Sequence, residues 1–289
     1  MRFAYSVRTH LGLVRANNED SAFVGPHLLL VADGVGGHAA GEVASASVAH
    51  LLGAMSLLPD PATGESATPG VGLPGLPGLP GLPGLLRAWV DRAHQVLVDG
   101  VEADPARAGM ATTLTAVLTD GHTFAMAHAG DSRAYVLREE RLRQVSVDHT
   151  LVQSLLDQGR ITPAQARVHP YRSAVTRFLD GGDRPDADIV LLDLRPGDRV
   201  LLCSDGLSDF VDEDEVRSLL VGGTPEEATD RLVRAALVAG GRDNVTCVVG
   251  DVLDAELMPW HRRPYFCRMK GAVTELANIV DPAGHGHAA

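Results

Sequence analysis

The chain has 289 residues, 45% of them hydrophobic, which is enough apolar material for one large domain with a buried core. Its formal net charge of -12, with 25 Lys and Arg residues that form no basic block, argues against nucleic acid or an anionic membrane as partner. Cys203, Cys247 and Cys267 lack CxxC spacing and read as reduced thiols, and with no apolar run near the roughly 18 residues of a membrane span and no signal-peptide core, a cytoplasmic location is expected.

In chain order, the first 32 residues read as strand segments: Phe3 to Arg8, Ser21 to Val24 and Leu28 to Ala32. A helix follows the small-residue entry Gly41-Glu42-Val43-Ala44, because Val48, Leu51, Leu52 and Met55 recur at helical spacing. A second helix places Leu86, Trp89, Val90, Ala93 and Leu97 on one face. Between them lies a Pro/Gly-rich tract, residues 59–84, which ends in Gly-Leu-Pro repeats; it reads as a loop inserted into the domain, since so few triplets cannot sustain a collagen-like helix.

Short β-rich runs come next at Thr112 to Leu118, Thr123 to Ala129, Arg133 to Leu137 and Leu142 to Val145. Residues 148–186 read as a polar, helical excursion carrying Leu151, Leu155 and Leu156 on one side. Strands return at Ile189 to Leu192, Arg199 to Cys203 and Val245 to Val252, with helices near Glu215 to Val221 and Pro225 to Val238. The pattern predicts an α+β fold of stacked antiparallel sheets covered by helices. Residues 1–252 are expected to form that domain, and 253–289 a C-terminal extension with a peripheral helix around Val273 to Ile279 and a disordered end.

Four aspartates stand beside glycine or asparagine near the ends of apolar runs: Asp33 before Gly34, Asp131 after Gly130, Asp205 before Gly206 and Asp243 before Asn244. A carboxylate at the mouth of a hydrophobic strand is costly to desolvate without a compensating cation, so four such placements point to one polyanionic pocket that attracts divalent metal. Oxygen-only ligands favour Mg²⁺ or Mn²⁺ over zinc. The run Gly34-Val35-Gly36-Gly37-His38-Ala39 also fits a dinucleotide fingerprint, but Asp33 beside that turn would repel pyrophosphate.

Arg15-Ala16-Asn17-Asn18-Glu19-Asp20, Asp33-Gly34-Val35-Gly36-Gly37-His38, Ala111-Thr112-Thr113, Gly130-Asp131-Ser132-Arg133, Ser204-Asp205-Gly206-Leu207 and Asp243-Asn244-Val245-Thr246 occur in that order. In these motifs the chain resembles the metal-dependent serine/threonine phosphatases of the protein phosphatase 2C type, most of all the compact bacterial members. There Asp148-His149-Thr150 leads into a flap, here 148–186, with a His169-Pro170-Tyr171-Arg172 element. The resemblance implies a four-layer α-β-β-α sandwich and hydrolysis of phosphoserine and phosphothreonine in partner proteins by a monomer, opposing a Ser/Thr kinase. A dedicated phosphatase of an anti-sigma-factor antagonist and an inactive scaffold are its rivals.

The same resemblance implies that Asp33 bridges two cations, with the Gly34 carbonyl on one and Asp205 and Asp243 on the other. Asp20, with Glu19 nearby, would hold metal waters or complete the second site, and Asp131 would bind a weaker third ion. Arg15 is placed to grip the phosphate, which suits a guanidinium fork, and Asn244 to orient the loop or the metal waters. One departure stands out: many eukaryotic members carry a histidine, the proposed general acid, where this chain has Val35. His38 is the nearest imidazole, with a loop or helix-entry role as its other reading.

Overall fold

The computed structural model describes residues 1–35, 40–57, 81–182, 186–254 and 266–280. Its strands are β1 (Arg2–His10), β2 (Asp20–Val24), β3 (Leu28–Val35), β4 (Ala111–Thr112), β5 (Leu114–Thr119), β6 (Phe124–Ala129), β7 (Arg133–Arg138), β8 (Arg141–Gln144), β9 (Leu179–Asp180), β10 (Asp188–Leu192), β11 (Arg199–Cys203), β12 (Val245–Leu253) and β13 (Arg268–Gly271). The helices are α1 (Gly41–Leu57), α2 (Gly81–Ala103), α3 (Leu151–Asp157), α4 (Pro163–Arg167), α5 (Asp205–Ser208), α6 (Glu213–Leu220) and α7 (Pro225–Val238).

Two antiparallel sheets form. One runs β1-β12-β11-β7-β8, and the other runs β10-β6-β5-β3-β2-β13 with β4 and β9 branching from β3. Side-chain alternation along β3 separates the layers: Leu29 and Val31 join Phe3, Val117, Phe124 and Val248 between the sheets, whereas Leu28, Leu30 and Ala32 meet α1 and α2. On the opposite flank, Leu201, Cys203, Cys247 and Val249 pack under α5, α6 and α7. The result is the α-β-β-α sandwich. Both sheets are covered on both faces, which explains why the central strands read as continuous apolar runs.

Helix entries follow local chemistry. Thr224 caps α7 with a reciprocal Glu227 bond and Pro225 in the first turn, and Asp212 caps α6. All the strand pairings among the described residues are antiparallel, so β3 and α1 do not form the parallel unit that a dinucleotide fingerprint needs.

Three expectations need correction. The run Thr112 to Leu118 is two strands, because at Thr113 the chain is held by Asp33: the Thr113 N–H donates to the Asp33 carbonyl at 2.8 Å and the Asp33 N–H to Thr113 Oγ1 at 2.9 Å. Residues 81–84 of the Gly-Leu-Pro tract belong to α2, where Pro83 sits in the first turn without an N–H to lose and Leu82 is buried; residues 58–80 lie outside the described residues. The extension holds a strand, β13, on β2, and the helix expected around Val273 to Ile279 is two 3₁₀ turns, Ala272–Thr274 and Leu276–Asn278. The disordered end was expected at residues that lie outside those described.

Candidate metal centre and active site

The sandwich turns strand ends into one mouth. Asp20 opens β2 directly opposite Asp33 on β3, Asp205 begins α5 just after β11, and Asp243 precedes β12. Asp131 stands on the turn between β6 and β7. Adjacent backbone segments approach so closely here that a Cβ at Gly206 would lie 1.9 Å from the Asn244 carbonyl oxygen, so the Ser204-Asp205-Gly206 and Asp243-Asn244 motifs are packed backbone to backbone.

Asp20 is fully buried. Ser204 Oγ donates to its Oδ2 at 2.8 Å, while Oδ1 is buried with no hydrogen-bond partner. Leaving such an atom orphaned is costly unless a cation takes it. Desolvation raises the Asp20 carboxyl to about 6, against the lowering pull of the Thr246 and Ser204 hydroxyls and with a smaller push from Asp243. Asp131 is pushed up to about 7, first by burial and then by Asp148. Burial and the surrounding acids push Asp33 and Asp205 well above the ordinary carboxylate range. Glu19 is also raised, by burial and then by Glu42. A cation placed among these groups would reverse the shifts, since each acid is penalised for carrying negative charge that nothing offsets.

Asn244 ties the loops together. Its Oδ1 accepts from the Glu19 N–H at 2.8 Å, and its Nδ2 donates to the Leu11 and Asn17 carbonyls, both at 2.9 Å. That arrangement fits the loop-orienting role. The Gly34 N–H donates to the Glu19 carbonyl at 3.1 Å, bringing the first and second motifs together. Arg15 reaches the mouth and donates to Asp243 Oδ2 at 2.7 Å, which raises its own pKa further. Val35 pairs with Ala111 at the end of β3, and His38 lies outside the described residues.

Among the described residues no three Asp, Glu, His or Cys side chains already stand in ligating geometry around one point. Asp243 is committed to Arg15 and to the Asn244 N–H at 2.9 Å. The donor set nevertheless fits hard divalent cations: an orphaned buried carboxylate oxygen, all-oxygen donors and acids destabilised by mutual repulsion.

Sequence reasoning missed the supporting groups. Ser204 holds Asp20, and Ser132 Oγ meets Thr113 Oγ1 at 2.7 Å beneath Asp33 and Asp131. Arg133 grips Asp148 in a fork, with N···O distances of 2.7 and 2.9 Å to Oδ2, and fixes the root of the flap. Ser204, Ser132 and Arg133 all lie inside the motifs, next to the aspartates, and that adjacency was the available signal. A groove of about 740 Å³ leads from Asp131 and Asp205 between the α5–α6 segment and the flap, with Arg172 on the flap side and Asp209 opposite.

The four-layer sandwich with aspartates at its strand ends is the arrangement that the resemblance to the metal-dependent phosphatases implies, and comparison gives the same family. The model of that family, Protein phosphatase 2C, matches residues 15–239, and the chain belongs to it. Among curated relatives, the serine/threonine protein phosphatase PstP of Mycobacterium tuberculosis is 44% identical over 254 residues, covering 86% of this chain and 45% of PstP. The chain thus spans about half the length of that relative. Protein phosphatase PhpP of Streptococcus pneumoniae is 32% identical over 252 residues, covering 83% of this chain and 94% of PhpP. A crystal structure of the PstP catalytic domain in complex with two manganese ions superposes with a TM-score of 0.74 at 41% identity, covering 88% of this chain and 99% of that one.

Proposed function

We propose that the chain hydrolyses phosphoserine and phosphothreonine in proteins with water as the acceptor, at a centre that takes two Mn²⁺ or Mg²⁺ ions. The observation that carries this reading is the buried, partnerless Asp20 Oδ1 in a mouth shared with Asp33 and Asp205, whose carboxyls are held far from their ordinary acidity by burial and by each other. The manganese in the PstP catalytic domain and the family membership support it.

Asp33 would bridge both ions, with the Gly34 carbonyl, Asp205 and Asp243 completing the pair and Asp131 holding a weaker third. When bound, the cations supply charge that acidifies an attacking water and offsets negative charge developing on the phosphoryl oxygens. The protein's own part is positional. Ser204 and Asn244 hold the carboxylate loops in place, so little reorganisation is left for the moment of reaction. Arg15, on the rim beside Asp243, binds two phosphate oxygens once Asp243 is drawn to a cation. Val35 has no proton to give, so the leaving oxygen takes its proton from solvent or from His38.

The chain would act on the products of Ser/Thr protein kinases, and the groove beside the flap would take the substrate's backbone. Phosphate release from a phosphothreonine peptide, with Mn²⁺ and then with excess chelator, tests the reading. Turnover that needs the metal supports it; a folded chain inert with Mn²⁺ would make it a binding scaffold instead.

A further inference from the structure

Residues 266–280 lie beyond the family model's span of 15–239, yet they are built into the metal centre's support. β13 pairs with β2 from Arg268↔Val24 to Gly271↔Ser21, so the strand that carries Asp20 has β3 on one side and β13 on the other. Where β13 ends, Gly271 turns with a φ of +89°, and a Cβ there would lie 2.0 Å from the Asp20 carbonyl oxygen and 3.2 Å from Ser21 Cα. No side chain fits at that contact.

The support continues past the glycine. The Val273 N–H donates to Ser21 Oγ at 3.1 Å, Ser21 Oγ lies 3.0 Å from Ser45 Oγ, and the Ser45 hydroxyl donates to the Glu19 carbonyl. Farther on, the Val280 N–H donates to Ser47 Oγ at 2.9 Å, while Ala272, Val273 and Val280 are buried against α1 and α2. The Tyr5 hydroxyl holds the start of the segment through the Phe266 carbonyl at 2.8 Å.

We infer that residues 266–280 form a clamp that positions Asp20 and Glu19, with Gly271 as its contact point, and so sets the cation affinity of the centre. The Asp20 carboxylate is fixed through Ser204 at one oxygen only, so its remaining placement is dictated by its backbone. That backbone is pinned between Asp33 on β3 and Gly271. A misplacement of about 1 Å in a ligand-bearing strand is costly at a site of this kind. Binding and clamping are linked reciprocally: whatever the clamp adds to cation affinity, the cation adds to the clamp's docking. The inference rests on the two-cation reading, and its test reads cation binding and hydrogen exchange, not turnover.

The experiment titrates Mn²⁺ calorimetrically into the full chain, comparing wild type with Gly271→Val, which drives a side chain into the Asp20 backbone, and Ser21→Ala, which removes the acceptor of the Val273 N–H. Val216→Ala, a buried α6 position on the other flank, serves as the control for lost stability alone. The dissociation constant should rise about tenfold in Gly271→Val and about fivefold in Ser21→Ala, within the usual range of intramolecular coupling. Val216→Ala should lower the melting temperature and leave the dissociation constant unchanged. If Gly271→Val does not fold, Ser21→Ala decides together with hydrogen exchange on wild type, in which Mn²⁺ should slow the amides of 268–273 at least fivefold relative to those of α7. Cation affinity within about twofold of wild type in each folded clamp variant, or tail amides indifferent to Mn²⁺, overturns the inference. Intact coupling in a chain that hydrolyses no phosphopeptide would instead refute the phosphatase reading and leave the clamp standing.

Discussion

Arg15→Ala separates phosphate binding from fold stability, because the arginine is only lightly built into the protein. Its side chain is 53% exposed and pairs with an Asp243 that is 33% exposed. An ion pair in such a setting contributes about 0–1 kcal/mol, so its loss should move the melting temperature by no more than about 4 °C. A guanidinium fork on a phosphate dianion is a charge-assisted contact of about 1.5–3 kcal/mol, which corresponds to roughly 10- to 150-fold in binding. Because that contact exists in both the ground and transition states, KM for a phosphothreonine peptide should rise by this factor while kcat changes much less. Initial rates at saturating Mn²⁺, measured beside thermal melts, check both halves. A KM within about twofold of wild type would refute the assignment, and a kcat loss alone would give Arg15 a different role.

Three further outcomes follow from the site. In the metal-free chain Asp20 and Asp131 sit near 6 and 7, with Asp33 and Asp205 well above the carboxylate range, and these four acids outnumber the buried His27 and His128, each lowered to about 4 and opposite in sign, so between about pH 4 and 7 the native state binds more protons than the unfolded chain; stability then falls as pH rises, and the melt at about pH 5 should exceed that at about pH 7.5 unless Mn²⁺ is added. A metal-free melting temperature that climbs across this window would contradict it. Asp33→Asn should cut turnover by about a thousandfold or more and weaken binding of both ions, whereas Asp131→Ala should cut turnover about tenfold with two ions still bound; equal losses, by kinetics and calorimetry, would reverse the ranking. Cys203 and Cys247 face each other across β11 and β12, fully buried, with Cys203 raised to about 12 and Cys247 also raised, so a thiol reagent should modify only Cys267 in the native protein; three fast-reacting thiols would show the β11–β12 region to be open.

The aspartates were legible because strand ends and glycines announce them locally: Asp33-Gly34 and Asp205-Gly206 each close an apolar run. Register made the sequence reading physical, setting Asp20 against Asp33 across β2 and β3. What the sequence hid is non-local. Ser204 and Asp20 are 184 residues apart and meet only because β11 and β2 belong to sheets stacked face to face. The tail strand escaped notice because Arg268-Met269-Lys270-Gly271 has no strong strand signal; an open edge of β2, not propensity, makes it a strand. The start of α2 was masked by the composition of the tract before it, although Leu82 and Leu86 already mark its buried face. The Arg15–Asp243 pair could not be read from either motif alone, since it joins the first motif to the last.

Anomalous diffraction at the manganese edge, from crystals of the full chain grown with Mn²⁺, tests the central claim most directly. Two peaks about 3.5–4 Å apart, with the Asp33 carboxylate between them and Asp205 and Asp243 on one, are predicted. No peak in the mouth formed by Asp20, Asp33, Asp205 and Asp243, or manganese bound only elsewhere on the chain, would contradict it.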